Sequence, residues 1–130
     1  MAAGKMSTPL ARVRGLGAAK SGTDHFWRQR LTAVANVPLT IAFVLIVVAL
    51  LGRNHAAVVQ ILGSPLVAVV MLLFIFSICT HMRIGMQVII EDYVHDEGAK
   101  FVLLMANTFF TFAVGLACAF AILMLSFKVV

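Results

Sequence analysis

Charge is scarce in this chain. Asp, Glu, Lys and Arg make up 12% of its 130 residues, 62% are hydrophobic, and the mean hydropathy is +1.06. A soluble domain of this length cannot bury so much apolar surface, so the excess has to face lipid. Cysteine is limited to Cys79 and Cys118, each deep inside an apolar run. There is no Cys-x-x-Cys spacing and no Cys/His cluster of the kind that holds zinc or an iron–sulfur centre. Both cysteines read as packing residues, because a thiol in apolar surroundings behaves as a small hydrophobe.

What is present is apolar length. A membrane-spanning helix needs about 20 mostly apolar residues, so the chain has room for three spans, a basic tail and two short connections, but not for a soluble catalytic domain as well. The expected fold is an all-α membrane protein of three transmembrane helices. Residues 1–30 form a basic, flexible tail ending in an interfacial helix start, with Lys5, Arg12, Arg14, Lys20, Arg28 and Arg30 set against Asp24 alone. The tail's acid-poor, Arg-containing character is shared with organelle transit peptides, and no apolar signal core precedes residue 31. Ser21 to Asp24 has the spacing of a capping box that would start the first helix, with Phe26 and Trp27 anchoring it at headgroup depth.

The first span covers residues 31–51 and contains Asn36, Pro38 and Thr40. Pro38 removes a backbone hydrogen bond that neighbouring groups must replace. A polar connection, Gly52 to His55, leads to an apolar stretch at 56–62, and Gly63-Ser64-Pro65 marks the next helix start with proline in its first turn. The second span covers residues 66–90, a polar cytoplasmic loop 91–100, and the third span 101–127. In the third, Gly115 and Ala119 have the small-xxx-small spacing that lets helices approach closely.

Positive charge sets orientation. Six basic residues precede the first span and Lys100 flanks the loop, whereas the opposite side holds only Arg53 and Lys128. The amino terminus and the 91–100 loop therefore face the cytoplasm, or the matrix of an organelle, with the carboxyl terminus on the far side.

The second span contains His81 and Arg83, and ionisable groups at that depth are costly and usually functional. From His81 to Asp92 is eleven residues, roughly 16 Å along a helix. The histidine therefore lies within hydrocarbon while the acid is at the surface. His81, Gly85, Val88 and Asp92 share one helical face, and the glycine leaves room there for a flat ligand. Read from the residues alone, His81 is a core histidine bonded to a neighbouring helix, a proton-relay residue, or an axial ligand to haem iron. The other histidines, His25, His55 and His95, all sit at interfaces, so a bis-histidine haem site would need its second ligand from another polypeptide.

The stretch His81-Met82-Arg83-Ile84-Gly85-Met86-Gln87-Val88-Ile89-Ile90-Glu91-Asp92-Tyr93 closely resembles the signature of succinate dehydrogenase membrane anchor subunits: a histidine, a glycine four residues later, and Asp-Tyr at the end. Ser21-Gly22-Thr23-Asp24-His25-Phe26-Trp27-Arg28-Gln29-Arg30-Leu31-Thr32-Ala33 also resembles the approach to the first helix in that family. Together the two stretches cover about a fifth of the chain.

The resemblance implies an enzyme of four different subunits: a flavoprotein carrying FAD, an iron–sulfur protein carrying the clusters, and two three-span anchors, of which this chain is the smaller. The larger cytochrome b anchor would be its membrane partner, with haem b held between the two and ubiquinone reduced where they meet the iron–sulfur subunit. This chain would catalyse nothing alone. On the same resemblance, His81 is an axial haem ligand, Gly85 packs against the porphyrin, and Arg30 matches an arginine near the haem propionates, where the alternative is a positive-inside flank. Tyr93 donates a hydrogen bond to quinone, although aromatic belts also place tyrosine at this depth. Asp92 orients its surroundings or helps deliver protons. The implied setting is the respiratory chain and tricarboxylic acid cycle at a bacterial inner membrane, or the mitochondrial inner membrane. The lipid bilayer is a partner and nucleic acid is not. The alternatives are a fumarate reductase anchor and a non-catalytic helical membrane protein that assembles by packing alone.

Overall fold

The computed structural model describes residues 8–14 and 20–127. All of its regular structure is helical: α1 (Pro9–Val13), α2 (Lys20–Leu50), α3 (His55–Leu62), α4 (Pro65–Tyr93) and α5 (Glu97–Ser126). Among the described residues three stretches are long and apolar enough to cross a membrane: Thr23–Leu50, Pro65–Tyr93 and Glu97–Ser126. In lipid a backbone must satisfy its own polar groups, which is why runs of this composition become uninterrupted helices. The 29 residues of α4 extend about 44 Å, beyond the roughly 30 Å hydrocarbon layer, so its ends reach headgroup depth.

The basic tail differs from the expectation in two ways. It contains the short helix α1, and α2 is already helical at Lys20, so Ser21 lies inside the helix rather than at its cap. A long helix propagates backward at little cost per residue once nucleated, which overrides the local capping signal. The remainder of the expected flexible tail, residues 1–7 and 15–19, lies outside the described residues, as does Lys128.

α4 is the central helix. It packs against both α2 and α5, which do not pack against each other. Phe43 of α2 stacks on Phe74 of α4, with centroids 5.0 Å apart and planes at 23°. On the other side Gly115 of α5 faces Cys79 of α4: a Cβ on the glycine would lie 3.3 Å from Sγ. The expected close approach through Gly115 is thus met by Cys79, which packs as expected. Cys118 is exposed on α5, at the edge of an apolar cavity rather than inside a packed contact. Asn107 donates from Nδ2 to the carbonyl of Arg83 at 3.0 Å, a second tie between α4 and α5.

The connections are tighter than the sequence indicated. The turn after α2 contains Gly52, whose φ of +70° is the left-handed conformation that glycine adopts without a Cβ penalty. The stretch at 56–62 belongs to a helix in its own right, α3, capped by Asn54, whose Oδ1 accepts from the Ala57 amide at 2.9 Å. Gly63 then brings this corner against the end of α5, because a Cβ there would lie 2.6 Å from the Leu125 carbonyl oxygen. Ser64 and Pro65 begin α4 as expected. The segment read as a loop at 91–100 is mostly helical: α4 continues through Glu91, Asp92 and Tyr93, and α5 starts at Glu97. Asp96 caps α5 by accepting from the Ala99 amide at 2.7 Å, and Glu97 lies in the first turn, where a negative charge suits the helix dipole.

Pro38 lies inside α2 without ending it. Nearby, Asn36 has a buried Oδ1 with no hydrogen-bond partner among the described residues. Buried apolar side chains among the described residues are few: Ala68, Phe74, Ile84, Ile90 and Ile122. Large apolar groups such as Phe76, Phe109, Phe112 and Phe120 are exposed. Three long helices with so thin an interior turn their apolar surface outward, which suits a multi-pass membrane protein.

Candidate functional site

The α2–α4 contact builds a polar site around His81. Thr32 Oγ1 lies 2.8 Å from the Arg28 carbonyl oxygen, 3.0 Å from that of Gln29 and 3.1 Å from His81 Nδ1. One turn before His81, the buried Ser77 donates from Oγ to the Thr32 carbonyl at 3.4 Å. Two residues on successive turns of α4 thus both address Thr32. His81 is half-buried, and Thr32 is its only hydrogen-bond partner among the described residues.

Gly85 follows His81 by one turn on the same face. A Cβ built on it meets nothing within 4 Å, so the glycine opens onto free space rather than a neighbouring helix. Its lack of a side chain is not required for packing within this chain, in contrast to Gly63 and Gly115. Asp92 and Tyr93 are both exposed at the end of α4, and Tyr93 is 77% accessible. They lie roughly 16 to 18 Å along the helix from His81, so two separate stations share one helix. Beside them Gln87 donates to Glu91 at 2.8 Å, bracing the last turn.

Arg30 is not brought against His81. Its guanidinium carbon sits 4.5 Å from the centroid of the Phe26 ring, a cation–π contact one turn back along α2. Two residues from Thr32, it points roughly 200° away around the helix axis. Arg28 and Arg83 both line a cavity of about 570 Å³, together with Thr80, Thr111, Phe112 and Gly115. A second cavity of about 450 Å³, between Phe43, Met71, Met82, Val114 and Cys118, is almost wholly apolar. His81 lines neither, since it faces α2. Among the described residues the one ion pair is Lys100 to Glu97 at 3.8 Å, at the exposed start of α5.

Sequence reasoning passed over Thr32, Ser77 and the cavity that Arg28 and Arg83 share. A faint signal existed for the first: Thr32 and Asn36 recur at i and i+4, a polar stripe on an otherwise apolar helix.

Residues 4–115 match the family described as succinate dehydrogenase/fumarate reductase transmembrane subunit. The chain is 30% identical over 115 residues to a succinate dehydrogenase hydrophobic membrane anchor subunit of Paracoccus denitrificans, covering 88% of each protein. It is 26% identical over 102 residues to the protein of that name from Rickettsia bellii (strain RML369-C), covering 78% of this chain and 82% of the relative. To a succinate dehydrogenase membrane anchor subunit of Reclinomonas americana it is 35% identical over 86 residues, covering 64% of this chain and 72% of the relative. No solved structure gives a significant match. With the match extending through all but the last turns of the third long helix, the chain belongs to the succinate dehydrogenase/fumarate reductase transmembrane subunit family.

Proposed function

We propose that this chain is the smaller membrane anchor of a succinate:quinone oxidoreductase, docking the flavoprotein and iron–sulfur subunits, sharing a haem b with a larger anchor, and forming part of the quinone site. Membership of the family makes it a membrane subunit of an oxidoreductase complex. The relatives' names favour succinate oxidation over fumarate reduction as the direction.

The haem assignment rests on His81. Its Nδ1 is engaged by Thr32, whereas Nε2 has no partner among the described residues. A neutral imidazole with one nitrogen anchored and the other free is the donor that haem iron takes. Gly85, one turn on along the same face, leaves open space that would take a flat macrocycle. The residues therefore fit the group: His81 would hold the iron from this side, with a second ligand from the larger anchor. Haem, when bound, supplies a one-electron redox centre. Arg30 is the cation proposed for the propionates, and would leave Phe26 to reach them.

At the other end of α4, Tyr93 is proposed to donate its phenolic hydrogen to a quinone carbonyl while its ring packs on the headgroup. Asp92 orients that surrounding or passes protons to the reduced quinone, since two electrons must be matched by two protons. Amino terminus and α4–α5 turn face the cytoplasm or matrix, which puts Tyr93 on the side where the iron–sulfur subunit docks.

Purification of the tagged chain from its own membranes tests the assignment. A flavoprotein and an iron–sulfur protein are expected to co-purify and to reduce both a dye and a quinone with succinate. A clean preparation lacking both proteins contradicts it.

A further inference from the structure

We infer that Thr32 is the positioning residue that fixes the tautomer and orientation of His81, holding the proton on Nδ1 and leaving Nε2 free for iron. The inference rests on the haem reading above and adds to it a residue on a different helix.

The argument is one of proton counting. A threonine hydroxyl carries one proton and two lone pairs. Around Thr32 Oγ1 stand two carbonyl oxygens, at 2.8 and 3.0 Å, and one imidazole nitrogen at 3.1 Å. Carbonyl oxygens only accept, and oxygens 2.8 and 3.0 Å apart with no hydrogen between them would repel, so the single hydroxyl proton is directed to the carbonyls rather than to Nδ1. A helical threonine is prone to this back-bonding to the i−3 and i−4 carbonyls. The oxygen's lone pairs then face His81, and a contact of 3.1 Å is a hydrogen bond only if Nδ1 carries the hydrogen. Neutral imidazole has one N–H, so Nε2 carries the lone pair.

The contact is held in place from both sides. Ser77, one turn before His81, donates to the Thr32 carbonyl, so α4 grips the residue through its backbone as well as its side chain. A ligating histidine whose second nitrogen donates to an acceptor is made more basic and is held at one ring angle. Here the acceptor is a hydroxyl that itself leans on two carbonyls of α2. Movement of α2 against α4 would therefore be felt at the iron.

Thr32→Val keeps the shape and removes the oxygen, and Thr32→Ser restores it. Both are to be made in the intact complex, with midpoint potential and redox-difference infrared spectra of ring-15N-labelled histidine as readouts. Thr32→Val is expected to raise the haem potential, since a less basic imidazole favours the ferric state less, and to shift the band of a hydrogen-bonded Nδ1–H. Thr32→Ser is expected to return both to the wild-type position. Loss of haem in Thr32→Val that Thr32→Ser restores supports the same conclusion. The inference is overturned if potential and spectrum in Thr32→Val are unchanged, if Val and Ser variants are equally impaired, or if the wild-type spectrum shows an unbonded Nδ1. His81→Ala in parallel separates the two levels: a complex that keeps its low-spin haem without His81 defeats the haem reading itself. A silent Thr32→Val beside a haem-less His81→Ala defeats only the role of Thr32.

Discussion

Gly115 on α5 and Cys79 on α4 stand so close that a Cβ on the glycine would lie 3.3 Å from the cysteine sulfur. The two helices approach through these residues because one has no side chain and the other a short one. Gly115→Leu is expected to cost about 1–3 kcal/mol through overpacking, and to lower the thermal unfolding midpoint of the purified complex. Cys79→Ala in the same chain should recover part of the loss by making room. An unchanged midpoint in the single variant would show that the helices do not meet there.

Gly63 makes a tighter prediction. A Cβ on it would lie 2.6 Å from the Leu125 carbonyl oxygen and 2.8 Å from that of Val59, and backbone atoms cannot swing aside as a side chain does. Gly63→Ala should therefore destabilise by about 1–3 kcal/mol, although alanine is the better helix former by about 1 kcal/mol. Chemical denaturation of the complex in mild detergent measures this. Equal or higher stability would mean that α3 and α5 do not dock as described.

Orientation is tested by fusing reporters to the carboxyl terminus and into the turn at Val94. An enzyme active only outside the cytoplasm should work after Val130 and be silent at Val94. The reverse pattern would invert the topology and move Tyr93 to the wrong side for the iron–sulfur subunit.

Tyr93→Phe keeps the ring and removes the hydroxyl. Losing one donor to a quinone oxygen costs about 1–3 kcal/mol, or roughly a 5- to 150-fold weakening. Succinate oxidation with a soluble dye should persist while quinone reduction falls. Normal quinone kinetics would make Tyr93 an interfacial belt residue and nothing more.

The three long helices were legible in the sequence because hydropathy over about 20 residues answers to a single physical requirement, the satisfaction of backbone groups in lipid. Helix ends were less so. Glu91 and Asp92 read as loop by polarity, yet continue α4, because polarity at the end of a span marks where water begins and not where the helix stops. The eight residues of α3 are too short for a clear periodic signal and depend on the Asn54 cap and on α5 for their place. His81 and Gly85 stood out as a polar intrusion and a gap on one face. The partner of His81 did not, because Thr32 lies 49 residues away in sequence and meets it only once α2 and α4 pack. Arg30, singled out by resemblance, rests on the Phe26 ring one turn back, a contact that the linear motif does not convey.

The measurement that bears most directly on the whole account is the visible spectrum of the dithionite-reduced complex carrying His81→Ala, assembled with its partner subunits. With the imidazole gone, iron would lose the ligand proposed for this chain, and the low-spin b-type bands expected of the wild-type complex should be lost or sharply diminished per flavin. A fully assembled variant with an unchanged low-spin spectrum would contradict it.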